Sequence, residues 1–587
     1  MRRVLLLLYV VIALIVSQPG AAVELSKSMP VLNKRILTGQ EVYPNIPFVP
    51  PNLSQSITAI GQTLYEFQTN GSSGDRIILH ADGSIHICWM NLLGWPYPPS
   101  PRYIYYTWVD PMGYYTDPWQ VNQRNPGGFC QMAERPNNLV AIGFHETPDQ
   151  NPLHVAFAIE EYPAGMGNFE SSNPPDVLYP QNDDNPGILY WPYCTVDRNG
   201  NIHVVSTEST DLTPQRMAYT RSTDDGATWA ELYEIDTVTV TSSVLDASPV
   251  SDRVVLAYCK PCDLESQARN DVVYYLSENG TSWNWRYGLT NVTNYEYDND
   301  TLWAYTDIDV IIDYNDVIHL VWNASRMDSD NYMDWKTYLY HYDTNTDEIT
   351  EITSHPEEMF AEICGAWNRP ICKMSLACSE EFHDFLAVSW TQFDTSDIAA
   401  NGYGNGDIWV GLSDDGGANW TISNLTDSHT PGCLSGDCLS ENWGCLADDA
   451  SDASIEGLHL TYIIDKDAGA FINDEGVATM NDVAYHGDAI SSVPKTENVP
   501  KAISLKGNYP NPFNAKTTIS FELPERNQVK LNIYNITGAK VTSLINRELE
   551  AGHHEIVWDA GNYASGVYFY NLETEEYTQT KQAVLIK

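Results

Sequence analysis

Four histidines, His86, His203, His319 and His459, recur at one position of a strand-like pattern that itself recurs along the chain. Imidazole is the commonest metal ligand and proton shuttle, so four in phase invite a metal centre. Joint ligation would need all four to converge on one axis, and no spacing demands that. One packing role per repeat is the expected reading. Acidic pairs at Asp298 and Asp300, Asp307 and Asp309, and Asp328 and Asp330 offer hard oxygen ligands that would suit Ca²⁺. None forms the spaced D-x-D-x-D-G loop with a distal Glu. No cofactor is required by the sequence. Eleven cysteines lie between Cys88 and Cys445. In an exported chain the default is disulfides, with Cys364–Cys372 and Cys433–Cys438 as natural loop staples and at least one thiol left over. Cys259 and Cys262 form a lone C-x-x-C without a second half-site, read as a small local disulfide. Aromatics crowd loops at Trp95 to Pro99, Tyr114, Tyr115, Trp119 and Tyr190 to Tyr193. Such clusters serve as core or stack on sugar or peptide. No G-x-S-x-G, H-E-x-x-H or phosphate-binding loop is present.

The elements that must position these residues form a repeat. His80–Trp89, Asp197–Ser206, Asp313–Trp322 and Asp452–Tyr462 are each a polar turn followed by an alternating strand. Weaker copies occupy Asn137–Ile142, Asp252–Tyr258 and His383–Trp390. Seven units about 50 to 70 residues apart are the signature of propeller blades with loop insertions. The fold class is therefore all-β: a β-propeller over 50–489, of seven blades, or six if one weaker unit is an insertion. A thin sheet cannot cover both its faces, so neighbouring sheets must stack around an axis.

A Tyr-, Val- and Trp-rich strand follows several of these units, and two such strands run into the same turn, S-x-D-x-G-x-x-W. One is Ser222, Asp224, Gly226 and Trp229; the other is Ser413, Asp415, Gly417 and Trp420. Ser and Asp side chains bond such a turn's backbone, Gly supplies positive φ, and Trp folds back between sheets. Ser277, Gly280 and Trp283 give a version one residue shorter. These turns resemble the Asp boxes of sialidase-like (BNR repeat) β-propellers, where they join the third and fourth strands of a blade, away from the active face. The resemblance covers roughly 50–490. It implies a site at the axial mouth with three arginines around a carboxylate, a Tyr nucleophile backed by Glu, and an acid/base Asp. Arg76, in Asp75-Arg76-Ile77-Ile78, is the candidate for the first arginine, although the family's aromatic and Pro are missing around it. Neither Arg221, Arg253, Arg286, Arg326 nor Arg369 stands in a recognisable catalytic context.

Residues 490–503 read as a polar linker with two prolines, and 504–587 as six or seven short strands, a small Ig-like β-sandwich. That tail opens on Asn508, Tyr509, Pro510, Asn511, Pro512, Phe513 and Asn514, carries Gly566 and Tyr568 in an S-G-V-Y-F-Y strand, and ends on Lys587. It resembles the type A C-terminal sorting domain of the type IX secretion system. The resemblance implies passage through the Sec translocon, periplasm and outer membrane, engagement of the type IX machinery, and removal of the tail.

The chain begins with Arg2 and Arg3, an apolar run Val4–Val16, Pro19-Gly20 and small residues Ala21 and Ala22. That is a signal peptide over 1–22, followed by a lead-in over 23–49. No later segment has the roughly twenty apolar residues of a membrane helix. The net charge of −47 is uneven: residues 501–587 carry nine basic and nine acidic side chains, whereas 24–500 carry 20 and 69. Such a surface repels nucleic acid and anionic lipid. The expected product is a secreted or surface-held propeller that binds a glycan or protein without catalysis. The alternative is an exo-sialidase-like glycoside hydrolase.

Overall fold

A computed structural model describes residues 57–487 and 503–586, apart from short stretches of which 93–100 and 181–186 are the longest. The signal peptide, the lead-in and nearly all of the linker lie outside the described residues, as do Trp95–Pro99, Asp298, Asp300, Asp328, Asp330, Pro510, Pro512 and Lys587. The chain divides into two compact units, 1–490 and 491–587.

The first unit is a β-propeller of seven four-stranded antiparallel blades. Blade 1 runs Ile77–Leu79, Ile85–Leu92, Arg102–Val109 and Trp119–Gln120; blade 2 runs Gly127–Arg135, Leu139–Glu146, His154–Glu160 and Phe169–Ser172. Blade 3 takes Leu189–Val196, Ile202–Glu208, Gln215–Ser222 and Tyr233–Val238; blade 4 takes Ser243–Ala247, Val254–Pro261, Asn270–Ser277 and Leu289–Asn291. Blade 5 takes Leu302–Ile312, Ile318–Met327, Met333–Asp343 and Glu348–Ser354, and a single bridge, Asn270 to Ala304, joins it to blade 4. Blade 6 is Ile371–Cys378, Leu386–Ile398, Gly404–Ser413 and Thr421–Asn424. Blade 7 is Ser440–Leu446, Leu460–Asp465 and Asn481–His486, completed at its outer edge by Ile57–Thr63 from the other end of the unit. All seven repeat units of the sequence form or lead into second strands.

Each blade begins at the axis, and the first strands of successive blades lie side by side. The ring closes where Arg76 N–H donates to Cys445 Sγ (3.3 Å) and Ser73 Oγ donates to the Gly444 carbonyl. Apolar clusters fill the spaces between blades, joining for example Ala133, Ile159, Val204 and Ala218 of blades 2 and 3. No blade has a core of its own.

The thiols depart from expectation. Cys433 and Cys438 form a disulfide, but Cys364 and Cys372 do not, and neither do Cys259 and Cys262. Cys364 and Cys372 share an apolar cluster with Ile363 and Phe393, where a thiol packs as a small hydrophobe. Burial pushes both thiols above their ordinary range, which disfavours the thiolate that disulfide chemistry needs.

The second unit is a seven-stranded sandwich. One sheet pairs Ser504–Tyr509, Lys516–Leu523 and Gly552–Asp559; the other pairs Lys540–Leu549, Asn527–Asn535, Gly566–Glu573 and Thr578–Leu585. Period-2 alternation puts Val529, Leu531 and Ile533 on its buried face.

Candidate functional site

Because Ile57–Thr63 lies at the rim of blade 7 and Ile77 lies at the axis, the chain between them must cross the propeller mouth. Its described residues from Tyr65 to Arg76 are buried, except Asp75, which is half-buried. They touch every blade. Gln68 exchanges hydrogen bonds with the Met90 backbone of blade 1 (3.0 and 2.8 Å). Phe67 meets Phe129 of blade 2, and the Tyr193 hydroxyl of blade 3 donates to the Ser72 carbonyl (3.0 Å). Gly71 lies against the Thr241 carbonyl, at the entry to blade 4. Ile308 N–H of blade 5 donates to Ser72 Oγ (3.2 Å), and the Lys373 ammonium of blade 6 donates to the Gly71 carbonyl (2.8 Å). On blade 7, Phe67 packs on Trp443 with ring centres 4.7 Å apart. The crossing segment is an axial plug.

The collar around it is strained. First strands of blades 2, 3, 6 and 7 bulge, and at each bulge a bulky residue takes positive φ: Phe129 (53°), Trp191 (41°), Lys373 (54°) and Trp443 (59°). Such backbone costs about 1–3 kcal/mol per residue and persists only where surroundings over-determine it. Here Phe129, Lys373 and Trp443 contact the plug, and Lys373 also pairs with Asp307 (2.9 Å) beneath the Trp443 ring.

Four carboxylates, Asp75, Asp246, Asp309 and Asp448, lie on or beside first strands. Asp246 accepts the Ile312 N–H of the next blade (2.6 Å), and Asp309 accepts that of Leu376 (2.7 Å). They staple neighbouring blades. Burial first, then repulsion from the other acids, raises Asp75 and Asp448 well above the carboxylate range, with Arg76 partly opposing the rise at Asp75. Asp246 and Asp309 rise to about 7. A raised folded-state value means stability is full below the unfolded value near 4 and falls as pH climbs through about 7. We expect Asp246→Asn to lose less stability than the wild type between pH 5 and pH 8, by on the order of 1–2 kcal/mol once discounted for the partial exposure of Asp246. Parallel pH–melting curves for the two proteins would refute this.

Among the described residues, the arginines considered for a triad hold different partners. Arg76 is 2 % exposed and its guanidinium donates to the Trp443 carbonyl. Arg102 donates to the Tyr65 hydroxyl (3.0 Å) and lies over Phe129, while Arg369 binds Ser325 Oγ (2.8 Å) and stacks on Trp335. Each serves a different part of the scaffold. A Tyr–Glu pair does exist: Tyr106 donates to Glu160 (2.9 Å). It is buried between blades 1 and 2, against His86, and its polar groups are engaged there.

The in-phase histidines stay in their own blades. Nδ1 of His86, His203 and His459 meets the hydroxyl of Tyr106, Tyr219 and Tyr485 (2.8, 2.7 and 2.7 Å), and His319 meets His341 (3.0 Å). Their partners lie on the adjacent third strand. Among the described residues, no group of three or more His, Cys, Asp and Glu is placed to hold a metal ion.

The two S-x-D-x-G-x-x-W turns join third to fourth strands. Ser222 Oγ accepts Gly226 N–H (2.8 Å), Asp224 accepts Thr228 N–H (2.8 Å), and Gly226 has φ 79°. Ser413, Asp415 and Gly417 repeat this at 2.9 and 2.9 Å, with φ 92°. Trp229 Nε1 donates to Ser172 Oγ and Trp420 Nε1 to the Gly417 carbonyl. The shorter third turn behaves differently. Trp283 stacks on Trp285 at 4.5 Å and 6°, and Trp285 stacks on Tyr233 of blade 3 at 5.6 Å. Tyr233 is 47 % exposed and the adjoining Tyr287 77 %, with the Arg286 guanidinium over its ring. This outward aromatic platform escaped the sequence reading, although W-x-W-R-Y was its signal.

In the tail, the opening motif holds the last strand. Asn511 accepts Val584 N–H (2.8 Å) and donates to the Gln582 carbonyl (3.0 Å), mimicking a backbone partner. Phe513 bonds either side of Leu585 and packs on Trp558, which meets Tyr568 edge-on. Asn508 donates to Thr517 (3.0 Å), Tyr568 donates to the Ala564 carbonyl, Asn514 is exposed, and Gly566 opens its strand.

No curated protein matches the sequence. Solved structures with a related fold include an ulvan lyase, a polysaccharide lyase, at 12 % identity, covering 73 % of this chain and 96 % of its own, TM-score 0.42. An α-L-arabinanase of Penicillium chrysogenum is 11 % identical over 61 % and 92 %, TM-score 0.37. PorZ, a surface component of the Porphyromonas gingivalis type IX secretion system, is 11 % identical over 88 % and 60 %, TM-score 0.34. Residues 508–587 match the family described as Secretion system C-terminal sorting domain. Among the described residues no helix is long and apolar enough to cross a membrane. The tail is therefore a type IX sorting domain that engages the secretion machinery, and the chain is delivered to the cell surface or beyond it.

Proposed function

We propose that the propeller is a non-catalytic module, exported through the Sec translocon and then the type IX system, that binds a glycan through the platform of Tyr233, Trp283, Trp285 and Tyr287. The observation that carries this reading is the exposed pair Tyr233 and Tyr287 between blades 3 and 4, Tyr233 being backed by the half-buried, parallel stack of Trp285 and Trp283. Flat apolar faces with polar edges match the faces of sugar rings, and Arg286 supplies donors at the rim. The plugged axis adds support, because the place where a sialidase-type enzyme would gather its arginines is filled by Phe67 and Gln68. Under the alternative, an exo-sialidase-like hydrolase, Arg76 would have to leave the Trp443 carbonyl to meet a substrate. The test is a glycan array followed by calorimetry on the secreted protein. Tyr233→Ala and Tyr287→Ala should each weaken binding at least about tenfold, which is about 1.4 kcal/mol. Undiminished binding in both variants would remove the platform from the reading. Turnover of fluorogenic sialosides by the wild type would establish the hydrolase instead.

A further inference from the structure

Where the plug meets blades 6 and 7, a small cavity is lined by Glu66, Asn368, Asn442 and Asp465 beside the rings of Phe393 and Trp443. Its volume of about 10 Å³ leaves room for one water or one ion. Three oxygens of its lining residues have no protein partner: Glu66 Oε2, Asn368 Oδ1 and Asn442 Oδ1. Glu66 is 3 % exposed; one carboxylate oxygen accepts Phe471 N–H (2.8 Å) and the other, Oε2, has no partner in the protein. Asn368 and Asn442, 6 % and 8 % exposed, each commit the amide nitrogen to the backbone or a serine and leave Oδ1 unpartnered. Asp465, 3 % exposed, accepts the Asp467 N–H (3.1 Å) and the Thr479 hydroxyl (3.3 Å).

No basic side chain lines this cavity. The two closest in sequence are used elsewhere: Lys466 pairs with Asp482 (3.1 Å), and Arg369 is held by Ser325 and Trp335. Burial and the charge of Asp465 raise Glu66 well above the carboxylate range, and burial takes Asp465 to about 8. Two buried carboxylates without a counter-charge are costly, and each unpartnered amide oxygen adds a desolvation penalty. A cation or a proton must offset them.

We propose that Glu66, Asp465, Asn368 and Asn442 form a binding site for one hard divalent cation of the Ca²⁺ class, which ties the axial plug to blades 6 and 7. Two carboxylates and two carboxamide oxygens are an all-oxygen set of the kind Ca²⁺ accepts in flexible geometry. Mg²⁺ fits less well, because it retains several waters and this cavity has room for little more than one particle. The site is separate from the aspartate pairs legible in the sequence. It takes Glu66 from before blade 1, Asn368 from the entry to blade 6, and Asn442 and Asp465 from blade 7.

The test is calcium titration of the full secreted chain after EGTA treatment, by calorimetry and by thermal melting. One saturable site per chain is expected, with a Tm raised by a few degrees in CaCl₂, since a ligand that binds only the folded state stabilises it. Glu66→Gln should abolish the saturable heat and the melting shift. Asn368→Ala, which removes an oxygen and no charge, should weaken binding about tenfold and serves if Glu66→Gln fails to fold. Wild-type protein without saturable binding and with equal melting in EGTA and CaCl₂ would overturn the proposal in favour of a carboxyl pair holding a proton. A calcium shift persisting unchanged in both variants would place the ion on the acidic surface and equally overturn it.

Discussion

Gly71→Ala should cost the propeller about 3–5 kcal/mol, and Gly71→Val should leave it without a closed ring. A Cβ at this position would stand 1.4 Å from the Thr241 carbonyl oxygen and 3.1 Å from the Tyr193 hydroxyl. The first obstacle is backbone at the entry to the first strand of blade 4, and it cannot rotate away. Gly71 is itself fixed by the Lys373 ammonium on its carbonyl, and its neighbour Ser72 by Tyr193 and Ile308. Relief requires the plug or blade 4 to shift, and a shift of either disturbs contacts to several blades at once. That is why the effect should exceed the usual 1–3 kcal/mol of overpacking. In a unit this large each kcal/mol moves Tm by only about 1–2 °C, so Gly71→Ala should melt about 3–10 °C below wild type. Gly83, at φ 83° with nothing within 4 Å of a built Cβ, is the control: alanine there should cost about 1 kcal/mol through backbone conformation alone. Equal melting of the two variants would mean that the plug is not seated as described.

Removing residues 504–587 should abolish delivery to the outside and leave the body in the periplasm, measured by fractionation of cells expressing the truncated chain. The sorting domain is a unit with its own core, from Leu505 and Phe513 to Leu585. A gentler version targets one side chain. Asn511→Ala removes two hydrogen bonds to the final strand and should destabilise the sandwich by about 2 kcal/mol. If the clamp on the last strand is what the machinery reads, secretion should fall with it. Normal secretion of the full truncation would refute the assignment of the tail.

Much of the fold was legible because its signals are local. The turn-and-strand units from His80 to Tyr462 each sit within about ten residues, and so do the two turns ending at Trp229 and Trp420. Period, polar punctuation and the Asn508–Asn514 motif therefore sufficed for an all-β reading, seven blades and a separate tail. The same locality explains the histidines: a repeat puts His86, His203, His319 and His459 beside a partner on the next strand, so their phase needs no shared centre.

The fate of the chemical groups was decided by tertiary structure alone. Arg76 stands in the sequence as a candidate for a substrate carboxylate, yet its partner is a carbonyl at Trp443, more than 360 positions away. Cys364 and Cys372 are close enough in the chain to suggest a bridge, but an apolar cluster turns them into packing. The plug, and the cavity that brings Glu66 to Asp465, exist only because the first strand of the unit closes the last blade and the chain must then return across the axis. A pattern read along the chain reports what each residue's neighbours in sequence require. Ring closure sets which distant residues meet, and the cost of leaving a charge or a polar atom unpaired in that interior then decides what each can do.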